Sequence, residues 1–117
     1  MATVDQLAAA VLEGDGLAAR SAAQDLLQQS PLASVSRPMT DDPRVLAVAA
    51  ALLELLAERT QQAPPAWAEG VGPAPETIYL LTSAQTMRHL RDLCERESPE
   101  PLRKRRLFAP SNYLSFA

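Results

Sequence analysis

Two side chains in this sequence could exchange protons or attack a substrate near neutral pH. They are His89 and Cys94, the only histidine and the only cysteine of the chain. A thiolate–imidazolium pair requires the two groups within hydrogen-bond reach of each other. Placed on one helix, residues five apart stand about 140° round the axis at ~100° per residue. They therefore point to different faces. Cys94, beside Leu90, reads as a small core residue, and His89, beside Arg88 and Arg91, as a solvated group. A zinc site needs three or four His or Cys ligands at short spacing, and the chain lacks them. The G-x-G in "GVGPAPE" follows no strand and runs into prolines, so it is no phosphate loop. Asp41 and Asp42 could be read as ligands for a hard cation. A helix N-terminus, where carboxylates meet the positive end of the dipole, explains them more economically. With so few catalytic side-chain types, neither enzyme chemistry nor a cofactor or metal is expected.

The remaining candidate is the stretch "SPEPLRKRRLFAPSNYLSFA" at the C-terminal end, with Arg103, Lys104, Arg105 and Arg106 in succession. Three readings compete. The cations could face phosphates while Phe108 and Tyr113 stack on bases. They could meet an acidic protein surface, with opposite charge steering encounter. They could also be a solvated face with no further role. The apolar neighbours Leu102, Leu107, Phe108, Pro110 and Leu114 favour an ordered tail, anchored by its apolar side chains with the cations outside. That arrangement points first to a protein partner.

The elements that must carry this tail are legible from periodicity. Val4, Leu7, Ala8, Val11 and Leu12 make one apolar helical face. Thr3 and Gln6 have the spacing of a capping box, and Gly14 suits a left-handed stop. Asp15 is placed to cap a second helix whose inner face is Ala19, Ala22, Ala23, Leu26 and Leu27. The short connection implies an αα-hairpin, and Pro31 blocks further extension. After a loop, Thr40 is the expected cap of a third helix, with Pro43 in its first turn. From Val45 to Leu56 only Glu54 is polar, so this helix is expected at the centre, covered on several sides. Residues 63–76, rich in proline and glycine, connect to the rest, with Trp67 packing back over the helices. "TIYLLT" reads as a short extended segment. Thr82 and Gln85 repeat the capping-box spacing ahead of a last helix over 83–96, its inner face being Met87, Leu90, Leu93 and Cys94. Pro99 and Pro101 end it.

Composition agrees. Aromatic residues are only 4% of the 117, so the core rests on Leu, Ala and Val, which favours helices over strand-built cores. The net charge is −3, unlike that of a generic nucleic-acid binder. One cysteine allows no internal disulfide, no apolar run approaches the ~18 residues of a membrane span, and the N-terminus lacks the basic flank of a secretory signal. A soluble, cytoplasmic protein is expected.

The C-terminal part also carries a resemblance. "APPAW", then "TIYLL", a helix, and "ESPEPLRKRRLFAPSNYLSFA" resemble small bacterial proteins encoded beside abortive-infection-type nucleotidyltransferases. Those proteins are regarded as the antitoxins of toxin–antitoxin pairs. Their pattern of Ser-Pro, spaced arginines, Phe and Leu falls approximately on Ser98, Pro99, Arg103, Arg105, Phe108 and Leu114, within residues 64–117. Many such proteins carry a helix-turn-helix in front. Here the second helix of the hairpin is rich in alanine and glutamine, with one arginine, and makes a poor recognition helix. Arg106 stands where the others often have Asn. The resemblance implies an inhibitor that binds a nucleotidyltransferase-type toxin.

The sequence therefore predicts one mainly α domain spanning residues 1–117. It is a compact bundle of about four helices, with a minor extended segment near residues 77–81 and an ordered C-terminal tail. Within it, a helical unit (1–62) and a connection (63–76) lead to a C-terminal segment (77–117) that packs on the unit. The expected partner surface is Tyr79, Arg103, Arg105, Arg106 and Phe108. Nucleic-acid binding through the basic stretch is one alternative. The other is self-association, a homo-dimer burying excess apolar surface of the central helix.

Overall fold

The first helix, α1 (Val4–Glu13), starts where Thr3 and Gln6 cap each other's backbone N–H groups. It stops at Gly14, whose φ of 78° is the left-handed conformation that glycine adopts without strain. Asp15 turns the chain at once and its Oδ1 accepts from the Ala18 N–H at 3.0 Å, starting α2 (Gly16–Gln29). Alanines 19, 22 and 23 are buried and let the two helices approach closely. The computed structural model describes residues 3–29, 31–81, 84, 86–111 and 113–114.

A single 3-10 turn, Leu32–Ser34, leads to the long helix α3 (Pro43–Thr60). Its cap is Asp42 rather than the expected Thr40: Asp42 Oδ1 accepts from the Arg44 N–H at 2.9 Å. Pro43 at the first helical position fixes the start, so the residue immediately before it takes the role. Thr40 supports it from outside, its Oγ1 accepting from the Asp42 N–H at 3.1 Å. At the other end Gln61 takes the left-handed conformation, φ 58°, and its N–H returns to the carbonyls of Ala57 and Glu58. Ten residues of α3 are buried. It packs on α1, on the one-turn α4 (Ala66–Glu69) and on the one-turn α6 (Glu100–Arg103), so it is the central helix that the apolar run demands. Each fully buried Leu of this helix contributes roughly 1.5–3 kcal/mol.

The C-terminal half adds a feature the sequence did not announce. β1 (Ile78–Tyr79) pairs in parallel with β2 (Leu107–Phe108), in the register Ile78–Leu107 and Tyr79–Phe108. Parallel partners need a crossover between them, and here it holds α5 (Arg88–Glu97) and α6. The last long helix starts later than the periodicity suggested. The Ala84 N–H donates to the Leu81 carbonyl and buries Ala84 in a separate turn, so α5 opens only at Arg88. The expected Thr82–Gln85 capping box lies outside the described residues. On α5, Cys94 is buried and Leu90 and Leu93 are half-buried, but Met87, just before the helix, is 56% exposed rather than internal.

One core cluster joins the halves. It contains Leu7 and Val11 of α1, Leu26 of α2, Val48, Leu52 and Leu56 of α3, and Leu102, Leu107 and Leu114 from the C-terminal segment. Trp67 packs against it, half-buried, with its indole N–H donated to the Val35 carbonyl at 2.8 Å. The radius of gyration, 13.0 Å, is that of a compact chain of this length. The fold is mainly α, with a two-residue ladder as its only sheet among the described residues. None of the described helices is long and apolar enough to cross a membrane.

Candidate functional site

The four-residue basic run does not act as a unit. α6 ends at Arg103, a turn follows, and β2 begins at Leu107, so successive side chains leave in different directions. Arg103, Lys104 and Arg106 are exposed, whereas Arg105 is only 2% exposed.

Arg105 is therefore a correction to the expected surface. Its Nη1 pairs with Glu54 Oε1 and also donates to the Pro101 carbonyl at 3.1 Å. Its Nε donates to the Val71 carbonyl at 3.2 Å and its Nη2 to the Ala68 carbonyl at 2.8 Å. One guanidinium thus ties α3, α4, the proline-rich connection and α6 together. A cation cannot be buried without a counter-charge and filled hydrogen bonds, and Glu54 supplies the charge. This explains the single acid in the apolar run of α3. Lys104 Nζ shares the same carboxylate oxygen at 3.3 Å from the wetter side. The sequence held a signal for this pairing in Glu54 itself, but four consecutive cations gave no means of choosing its partner.

The other expected residues gather at the ladder. Tyr79 and Phe108 are paired in register, their ring centroids 5.8 Å apart and tilted by 33°. The Arg91 guanidinium lies 5.9 Å from the Tyr79 ring centroid, within cation–π range. Tyr79 Oη donates to Glu95 Oε1, and this bond, followed by burial, pushes the phenol above its ordinary pKa. α5 thus leans on the aromatic pair through Arg91 and Glu95. Arg106 stands just before β2, where its backbone carbonyl accepts from the Ile78 N–H at 3.0 Å. Its φ is 65°, in the left-handed region that a non-glycine residue adopts at a cost. Arg103 reaches back from α6 to the Arg96 carbonyl at 2.9 Å. The result is a half-buried aromatic pair with exposed arginines on the adjoining turn and helix.

The tail beyond the ladder is anchored from α3. The Arg59 guanidinium donates to the carbonyls of Ser111, at 2.9 Å, and Tyr113. Burial pushes the Tyr113 phenol up to about 12. Periodicity missed Arg59, which looks like an ordinary cation in a last helical turn.

His89 is exposed and Cys94 is buried, on different faces of α5. Burial raises the Cys94 thiol above its ordinary value, which keeps it protonated and a poor nucleophile. Among the described residues no three of His, Cys, Asp and Glu converge where they could hold a metal. Asp42 is engaged as a helix cap. No protein-family model matches the chain, and neither a curated protein nor a solved structure matches it.

Proposed function

We propose that the chain is a protein-binding module acting in the cytoplasm, whose partner is a nucleotidyltransferase-type toxin that it inhibits. The observation carrying the protein-binding reading is the patch just described. The ladder sets Tyr79 and Phe108 side by side, while Arg103 and Arg106 stand exposed on the helix and turn leading into it. Tyr and Arg dominate the energetics of protein interfaces. The identity of the partner rests on the resemblance of residues 64–117 alone.

The contact surface is Tyr79, Arg103, Arg106 and Phe108, with Arg105 acting beneath it as a structural tie. The exposed cations are interrupted by the buried one, which leaves less continuous positive surface for a phosphate backbone than the sequence suggested. Self-association through α3 also loses its motive, because the chain itself covers that helix. The double substitution Arg103→Ala/Arg106→Ala tests the reading in cells expressing the toxin. It abolishes protection while far-ultraviolet circular dichroism stays that of the wild type. Protection that survives both changes refutes the assigned surface.

A further inference from the structure

A second candidate site lies elsewhere on the molecule and shares no residue with the Tyr79–Phe108 patch. It is a cleft of about 300 Å³ whose lining includes Arg37, Leu46, Trp67, Val71, Gly72 and Pro73. The indole forms one wall and is fixed there, because its N–H is already committed to the Val35 carbonyl. Arg105 holds the same stretch of chain just beyond Trp67, by bonding the carbonyls of Ala68 and Val71. The cleft is thus preformed by two side-chain-to-backbone ties. A Cβ added at Gly72 would meet nothing within 4 Å, so the loop leaves that side open.

Two polar groups at this cleft have no use within the fold. Arg37 is exposed, and among the described residues it makes no ion pair or hydrogen bond. The Gly72 N–H likewise bonds to no described group. Every other guanidinium singled out above has a partner: Arg59 two carbonyls, Arg103 and Arg106 one each, and Arg105 a carboxylate and three carbonyls. A free guanidinium and a free backbone N–H share this mixed lining with the indole and with Leu46, Val71 and Pro73, and together they match an anion with a flat or branched apolar tail. Guanidinium complements a carboxylate in charge and in fork geometry, and the small volume beside the indole suits a short tail.

We propose that this cleft binds a small carboxylate carrying an aromatic or aliphatic tail, with the carboxylate on Arg37 and the tail against Trp67. Trp67 is the only tryptophan of the chain, so its fluorescence reports on this cleft alone. The probe is 3-phenylpropionate, with 3-phenylpropanamide as the same tail without charge and acetate as the charge without a tail. Titration of the full chain with the acid gives a saturable change in Trp67 emission. The amide binds at least tenfold more weakly and acetate gives no saturation. Arg37→Gln weakens the acid by a similar factor and leaves the amide unchanged, because the lost attraction belongs to one pair. No saturable signal with the acid, or equal binding of acid and amide, overturns the proposal. The acid–amide comparison on the wild-type chain decides the matter even if Arg37→Gln folds poorly.

Discussion

Replacing Arg105 by Met keeps the aliphatic stem and removes every hydrogen bond of the guanidinium. Glu54, whose side chain is 13% exposed, is left with Lys104 at its edge. The carbonyls of Val71 and Pro101 lose the guanidinium donor, and that of Ala68 keeps only its backbone donors. Breaking a buried pair from one side costs about 3–5 kcal/mol. Lys104 and partial solvent access at Glu54 place this case at the lower end, about 3–4 kcal/mol. For 117 residues, 1 kcal/mol corresponds to roughly 4 °C in Tm, so the expected fall is about 12–16 °C. Urea unfolding followed by circular dichroism and by Trp67 fluorescence gives the same quantity independently. Two controls sharpen it. Arg103→Met, on the exposed neighbour, costs less than about 1 kcal/mol. Glu54→Leu combined with Arg105→Met is more stable than Arg105→Met alone, because no unpaired charge remains. An Arg105→Met protein within 1 kcal/mol of wild type, or Arg103→Met equally damaging, refutes the placement of Arg105 inside.

Arg106→Asn relieves a left-handed backbone and raises stability by about 0.5–1 kcal/mol in thermal melts, while weakening partner binding through the lost cation. Asp42→Ala removes the α3 cap and costs about 1 kcal/mol in urea unfolding. Thr40→Ala costs less, because Thr40 supports only the Asp42 N–H. Tyr113 stays protonated until about pH 12. Its folded-state pKa lies above the unfolded value, so its contribution is complete below pH ~10 and is lost as pH rises toward 12. Absorbance titration at alkaline pH shows the late phase in the wild type and its loss in Tyr113→Phe. Arg59→Ala frees the carbonyls of Ser111 and Tyr113, and amide exchange at Ser111, Tyr113 and Leu114 speeds up while that of α3 does not.

The helical frame was legible because its signals are local. The Thr3–Gln6 box, the Gly14 stop and Asp15 each act within one turn of chain, and the apolar run of α3 within one helix; each operates as read. The misreadings lie where distant residues compete. Thr40 lost the cap to Asp42 because Pro43 set the register. Met87 fell outside α5 because the turn at Ala84 came first. β2 was invisible because two residues carry no period, and its partner stands some thirty residues earlier. In the candidate site, Tyr79 and Phe108 were named separately but not as a pair. Arg105 was assigned outward because four adjacent cations look alike until one of them meets Glu54.

The most direct test of the functional claim is affinity purification of the tagged chain from its own host. Wild-type chain brings down a nucleotidyltransferase at near-equal stoichiometry, and Arg103→Ala/Arg106→Ala, folded to the same helical content, does not. Recovery of no nucleotidyltransferase with the wild type, or equal recovery with the double variant, contradicts the account.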